Sequence, residues 1–260
     1  MKIFISVVSH GHSELINDLS CVSELTKHFH VVVKSNNSTD DFSELTNEDN
    51  FHWINEQYGC GFGRNNNIVF DYCLKTLGMN EQDLFIVLNP DVYITANDIN
   101  RLSAEMICCS SKVSAINLYK NKELTEFDDS IRTFPSLFNF ACSFLGLGNR
   151  SILDKSKIAS ISEVDWAAGS FLAFRASHYK ELQGFDENYF MYCEDIDICY
   201  RSNLLGCKVK YHPSITALHL AKHANRKLMS KHFVWHVSSV IRFLLTRLGI
   251  TSTRSLIEVE

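Results

Sequence analysis

The first half of the chain alternates short apolar runs with stretches of wider, helix-like spacing. Runs at 3–8, 30–33, 51–54 and 84–88 have the length and β-branched content of strands, and 13–27, 66–77 and 97–109 read as helices. This alternation predicts an α/β architecture, a mostly parallel sheet with helices on its faces. Ligands of such sheets sit beyond the carboxyl ends of the strands. The segments expected there are polar: Ser9-His10-Gly11-His12, Lys34-Ser35-Asn36-Asn37-Ser38 and Asn89-Pro90-Asp91. Further along, the pattern predicts strands at 114–119 and 168–175, a helical turn at 177–182, and a helix over 194–205 ended by Gly206. An aromatic-rich stretch, 134–147, is expected to line a groove.

The tail over 228–248 is apolar but interrupted by Lys231, Arg242 and Arg247. Two placements are open for it. One is an interfacial helix with basic side chains on anionic lipid; the other is a helix packed on the core with those side chains in solvent. The expected division is a main domain over 1–226 and a basic amphipathic extension over 227–260.

Composition narrows this picture. With 260 residues, 45% apolar and 21% charged, the chain has material for a substantial core, which excludes disordered and fibrous classes. No uninterrupted apolar run reaches the roughly 18 residues of a spanning helix. The first strand meets polar residues too early for an export signal. Nine cysteines without a C-x-x-C pair predict reduced thiols in a cytosolic protein and no zinc site. The net charge of −5 hides a polarity, because residues 198–257 hold ten Lys or Arg and no acid. A nucleic acid or a membrane surface would suit such an end; the acidic remainder and the lack of a binding motif disfavour nucleic acid.

Candidate chemistry lies in four places. Asn89-Pro90-Asp91 sets a carboxylate just past an apolar strand and stiffens the turn, a half-site for Mg²⁺ or Mn²⁺ or simply an Asx turn. Glu194, Asp195 and Asp197 open a helix; they complement its macrodipole, yet exceed what a cap needs, so one of them suits a general base. Gly59-Cys60-Gly61-Phe62-Gly63-Arg64 lets a ligand approach the backbone but lacks the last glycine of the dinucleotide fingerprint and the lysine of a P-loop. His219 and His223 have metal-like spacing for a helix, or form a surface pair.

In order, the blocks Val7-Val8-Ser9-His10-Gly11, Gly61-Phe62-Gly63-Arg64-Asn65-Asn66-Asn67, Leu88-Asn89-Pro90-Asp91, Asp165-Trp166-Ala167-Ala168-Gly169-Ser170-Phe171 and Gly184-Phe185-Asp186 through Glu194-Asp195-Ile196-Asp197 cover about residues 3–226. Together they resemble the family 2 inverting glycosyltransferases of the GT-A fold, and most closely the bacterial O-antigen rhamnosyltransferases. The resemblance implies a GT-A type sheet flanked by helices, with the basic helical extension after it. It implies Asp91 and His219 on a Mg²⁺ or Mn²⁺ ion that clamps the donor diphosphate, and Asp195, supported by Glu194, as the base for the acceptor hydroxyl. Donor contacts are expected at Ser9, His10, Ser35, Asn36, Gly63, Arg64, Asn66 and Asn89, and acceptor contacts at Trp166, Gly169 and Asp197. Two positions depart from the pattern: Asn89 replaces the first acid of the D-x-D motif, and Ser35 stands where an Asp is usual.

The implied partners are a nucleotide sugar, dTDP-L-rhamnose, and N-acetylglucosaminyl diphospho-undecaprenol at the cytoplasmic face of the inner membrane, with no nucleic acid. The alternatives are another nucleotide sugar or a non-catalytic sugar-nucleotide or lipid-binding module. A nucleotidyltransferase lacks support, since no basic Gly-rich loop follows the first strand.

Overall fold

A computed structural model describes residues 1–136, 140, 151–221 and 231–258. Strands β1 (Ile3–Ser9), β2 (His30–Ser35), β3 (Phe51–Ile54) and β4 (Leu84–Leu88) run parallel in the order β3-β2-β1-β4. The sheet continues through β10 (Phe171–Arg175), β6 (Val113–Tyr119), β11 (Val209–His219) and β5 (Val92–Tyr93), and β8 (Ser162–Val164) pairs with β11. Strand β10 is antiparallel to both neighbours, whereas β6 and β11 are parallel. Strands β7 (Ile131–Arg132) and β9 (Trp166–Ala167) make a separate two-stranded ribbon.

Both faces of the main sheet are covered, which is why its strands read as unbroken apolar runs. Along β1, Phe4 joins one core with Phe70, Phe85, Phe174 and Tyr179, while Ile3, Ile5 and Val7 join the other with Ile99 and Leu102. The first core lies under helices α3 (Phe62–Lys75), α5 (Ala176–Glu181), α6 (Glu194–Leu204) and α7 (Lys231–Arg247); the second lies under α1 (Ser13–Leu19), α2 (Cys21–Thr26) and α4 (Ala96–Cys108).

Three elements differ from expectation for identifiable reasons. The single helix expected over 13–27 is broken at Ser20, which takes a left-handed φ of 54°. Helix α3 starts at Phe62 rather than 66, because its first turn, rich in Gly and Asn, shows no apolar period. A Cβ on Gly61 would lie 2.5 Å from the Phe190 carbonyl oxygen and one on Gly63 would lie 2.6 Å from Phe185 Cβ, so these glycines permit close packing of the helix start. Strand β11 was hidden by Pro213, which a central strand accommodates only at an irregularity; the pairing with β6 shifts register between His212 and Thr216. His219 is therefore the last residue of a strand, which corrects the helical spacing expected with His223; His223 lies outside the described residues. So does most of the aromatic stretch 134–147.

One face of α7 is built into the first core. Phe243 is fully buried against the Tyr200 ring, with centroids 5.8 Å apart, and Val240 and Ile257 join it. Arg242 does not project into solvent or toward lipid: it donates to Asp186 Oδ2 at 2.6 and 2.9 Å. The opposite face exposes Val234, Ile241 and Leu245, and Leu248 just past its end is exposed too. No helix among the described residues is long and apolar enough to cross a membrane.

Candidate active site

Strand pairing assembles the site at one edge of the sheet. Antiparallel pairing of β5 with β11 sets His219 opposite Val92, next to Asp91, and the Leu220 N–H donates to the Asp91 carbonyl at 3.1 Å. His219 Nε2 then faces Asp91 Oδ1 at 3.6 Å, and its Nδ1 is bonded to Asp128 Oδ2 at 2.9 Å. Asp128 in turn binds the buried Lys155 ammonium at 2.5 Å and accepts both the N–H and the hydroxyl of Ser130. Burial opposes the Asp128 charge, but bonds from His219, Lys155 and Ser130 outweigh it and hold the carboxyl down to about 2. Burial lowers the pKa of Lys155, and Asp128 opposes that shift.

This arrangement fits a divalent cation. A carboxylate orienting an imidazole whose other nitrogen faces a second carboxylate is a recurrent metal-ligand geometry. Among the described residues no group of three or more His, Cys, Asp or Glu could hold a metal ion. Two protein ligands suit a cation whose shell is completed by substrate phosphates.

The second acidic group opens α6. The preceding Tyr192 and Cys193 both have left-handed backbones, with φ of 73° and 63°. The three carboxylates then take different fates. Asp197 is buried and paired with Arg201 at 2.7 Å, while that arginine also donates to the carbonyls of Leu182 and Gly184. Asp197 thus points into the protein, away from the acceptor side where the resemblance put it. Glu194 is buried, its Oε2 without a hydrogen-bond partner; burial and the neighbouring Asp195 push it up to about 8. Asp195 alone of the three is partly exposed. Burial also raises Asp195, opposed by N–H bonds from Gly169 and Ile196 and by the charge of Arg132.

The segment 168–170 joins the two acidic groups. Ala168 N–H donates to Ser130 O, next to Asp128; Gly169 N–H donates to Asp195 Oδ2 at 3.1 Å; and Ser170 O accepts from Asn89 N–H at 3.0 Å. Asp91 and Asp195, over a hundred positions apart in sequence, are thereby tied to one short segment at the end of β4.

The expected donor contacts divide into committed and open side chains. Ser9 is buried and its hydroxyl donates to Asp40. Ser35 accepts from Trp53 Nε1, Asn36 pairs with both backbone groups of Cys60, and the buried Asn66 bonds Ser6 and the Phe62 carbonyl. These four side chains build the shelf at the ends of β1 and β2. His10 is exposed, Asn89 is partly exposed, and Arg64 reaches solvent beside Glu187 at 3.7 Å. On the acceptor side, Trp166 donates to Thr133 O and lies under Arg132, 5.3 Å from the ring centroid. Asp128, Lys155 and Asp40 escaped the sequence reading, because each is an isolated polar residue with no short-range motif; Asp40 Oδ2 is buried without a partner.

Known proteins bear on this geometry. No protein-family model matches the chain. It is 34% identical to the rhamnosyltransferase WbbL of Escherichia coli K12 over 258 residues, 97% of this chain and 96% of that one. The chain belongs to the WbbL family of glycosyltransferases. An 84-residue stretch, 32% of the chain, is also 38% identical to 27% of the N-acetylglucosaminyl-diphospho-decaprenol L-rhamnosyltransferase of Mycobacterium tuberculosis. Among solved structures, S. aureus TarS 1–349 with UDP-GlcNAc superimposes with a TM-score of 0.61 at 14% identity, covering 98% of this chain and 68% of that one. GalNAc-T7 with UDP, GalNAc and Mn²⁺ gives 0.59 at 12%, covering 84% and 43%. The fold of this WbbL-family enzyme is that of the GT-A glycosyltransferases, as its residue blocks implied, and the alternative of a non-catalytic module falls away.

Proposed function

We propose that this glycosyltransferase transfers L-rhamnose from dTDP-L-rhamnose, with inversion, to the sugar of N-acetylglucosaminyl diphospho-undecaprenol in O-antigen assembly. The observation that carries the reading is the sorting of the acids at α6: Asp195 alone stays partly exposed, held by Gly169 on the segment that also anchors Asn89. Asp195 takes the proton of the acceptor hydroxyl at its Oδ atoms as that oxygen attacks the anomeric carbon. The departing diphosphate leaves on the opposite side, toward Asp91 and His219, and a single displacement with one base inverts configuration. These two residues would hold Mg²⁺ or Mn²⁺, which supplies charge neutralisation for the leaving diphosphate. Glu194, protonated near neutral pH, keeps a second negative charge from crowding Asp195. His10, Arg64 and Asn89 are the side chains left open for the donor. The named relatives support rhamnose and a lipid-diphosphate acceptor.

The same reading places the enzyme peripherally on the cytoplasmic face of the inner membrane. Its support is the outer stripe of α7, Val234, Ile241 and Leu245 at helical spacing, followed by Leu248 and Ile250 just past its end, all exposed. Exposed Lys231 and Arg247 flank it.

The deciding experiment is an assay of the purified chain with a panel of nucleotide sugars and a lipid-diphosphate acceptor, with and without Mg²⁺ or Mn²⁺. Rhamnosyl transfer from dTDP-L-rhamnose that depends on the cation is expected. Transfer from UDP-sugars alone would overturn the donor, and cation-independent transfer would overturn the role given to Asp91 and His219.

A further inference from the structure

The loop that leads into α6 carries an exposed aromatic residue, Phe190, whose ring lies on Trp235 of α7 with centroids 4.6 Å apart and a tilt of 41°. Large apolar side chains left at a surface are ordinary when scattered, but this one is held in place from several sides. The Phe190 carbonyl accepts the Phe62 N–H at 3.1 Å and abuts Gly61. The Phe62 ring lies against Gly169, the residue that holds Asp195. One residue on, the Met191 carbonyl accepts the Ser239 hydroxyl of α7 at 2.9 Å. Next to it, Tyr192 OH is bonded to His232 Nδ1 at 3.1 Å, and the His232 ring meets Trp235 edge-on at 5.1 Å. The aromatic pair is therefore fixed to both the glycine loop that starts α3 and the helix that bears the base. Lys231 is exposed at the same end of α7, and residues 198–257 contain no acid.

We infer that Phe190 and Trp235 form the stacking platform for the acceptor's sugar ring, with Lys231 and His232 at its rim meeting the diphosphate attached to that ring. This rests on the glycosyl-transfer reading above and names the acceptor subsite of that site. A rigid aromatic surface offers a pyranose the flat apolar contact its C–H face needs at little ordering cost. It lies four to five residues before Glu194 and Asp195 in sequence and is tied to Gly169 through Phe62. The Lys231 ammonium complements a diphosphate. The occupant is a pyranosyl diphosphate rather than the bilayer itself, because the pair is anchored to the residues around the base whereas the apolar stripe of α7 faces outward.

The test uses the full chain and a water-soluble, short-prenyl N-acetylglucosaminyl diphosphate, so that membrane binding cannot contribute. Trp235→Ala and Phe190→Ala are each expected to raise the acceptor KM about tenfold, the scale of losing one well-placed aromatic contact. Donor KM and the melting temperature stay unchanged, and Trp235→Phe recovers most of the loss. Lys231→Gln is expected to raise KM for the diphosphate acceptor but not for the free sugar offered at high concentration. Transfer by the wild type with an unmoved acceptor KM in both alanine variants overturns the platform alone. Loss of vesicle binding in Trp235→Ala with an unmoved soluble-acceptor KM overturns it too, and shows a bilayer contact instead. No transfer by the wild type from any nucleotide sugar overturns the functional reading and the platform with it.

Discussion

Two acidic groups are tied to the segment 168–170, and their electrostatics are opposed. Around His219, Asp128 meets a buried ammonium and several donors, so its negative charge is held even in acid. At the start of α6, three carboxylates crowd a helix entrance, and the arginine that pairs there, Arg201, is bonded to Asp197, while Arg132 acts on Asp195 only through its charge. There burial drives protons on, raising Glu194 and Asp195, and the charge of Asp195 adds to the rise at Glu194. Similar side chains thus hold their charge in one place and take up protons in the other. Carboxylate count says nothing of role; the partners decide it.

The largest test of this contrast removes the proposed base. Asp195→Asn is expected to lower turnover by about 10³-fold, with donor affinity by calorimetry unchanged; retained turnover would move the base elsewhere. Next, Asp128→Asn strands the buried Lys155 ammonium and is expected to cost about 3 kcal/mol in urea unfolding. The double change Asp128→Leu with Lys155→Met should recover most of that, since a stranded charge costs more than an absent pair.

Stability should also respond to pH in opposite senses at the two groups. The folded pKa of Glu194 lies above its ordinary 4.5, at about 8. Between those values the native state holds a proton that the unfolded chain releases, so stability falls as pH rises from about 5 to 8, by up to about 3 kcal/mol. Glu194→Gln should flatten that slope. Asp128 lies below its ordinary 3.8, at about 2; its contribution, about 2 kcal/mol, is present above pH 4 and lost as pH falls through 2. Unfolding curves between pH 2 and 9 read both, and a wild-type slope that Glu194→Gln leaves unaltered would refute the assignment. The smallest stability effect belongs to the paired change Ile241→Asp with Leu248→Asp, expected within about 0.5 kcal/mol of wild type while binding to anionic vesicles is lost. Deleting residues 228–260 would not serve, because Val240, Phe243 and Ile257 are part of the core.

Much of the scaffold was legible before any coordinates. The strands at 3–8, 30–33 and 84–88 are doubly buried and announce themselves as apolar runs, and the polar residues after them stand at the sheet edge. Strand β11 was not legible, since Pro213 and the register shift behind it disguise its eleven residues. The polar strand ends were only half readable. A polar side chain at a strand end looks the same in sequence whether it faces a ligand or, like Ser35 and Asn66, satisfies a neighbour inside the protein. Likewise, the apolar residues of α7 gave its amphipathic character, but not that Arg242 turns inward to Asp186.

By itself the sequence determined the family, the parallel half of the sheet and the two short acidic segments, because local periodicity and contiguous blocks carry that information. Tertiary structure alone decided which of Glu194, Asp195 and Asp197 stays partly exposed, and that Asp128 and Lys155, read from neither segment, set the charge beside Asp91. Burial and pairing are properties of what the folded chain brings alongside a residue, and those neighbours lie 91 positions apart for His219 and Asp128 and 26 for Asp195 and Gly169.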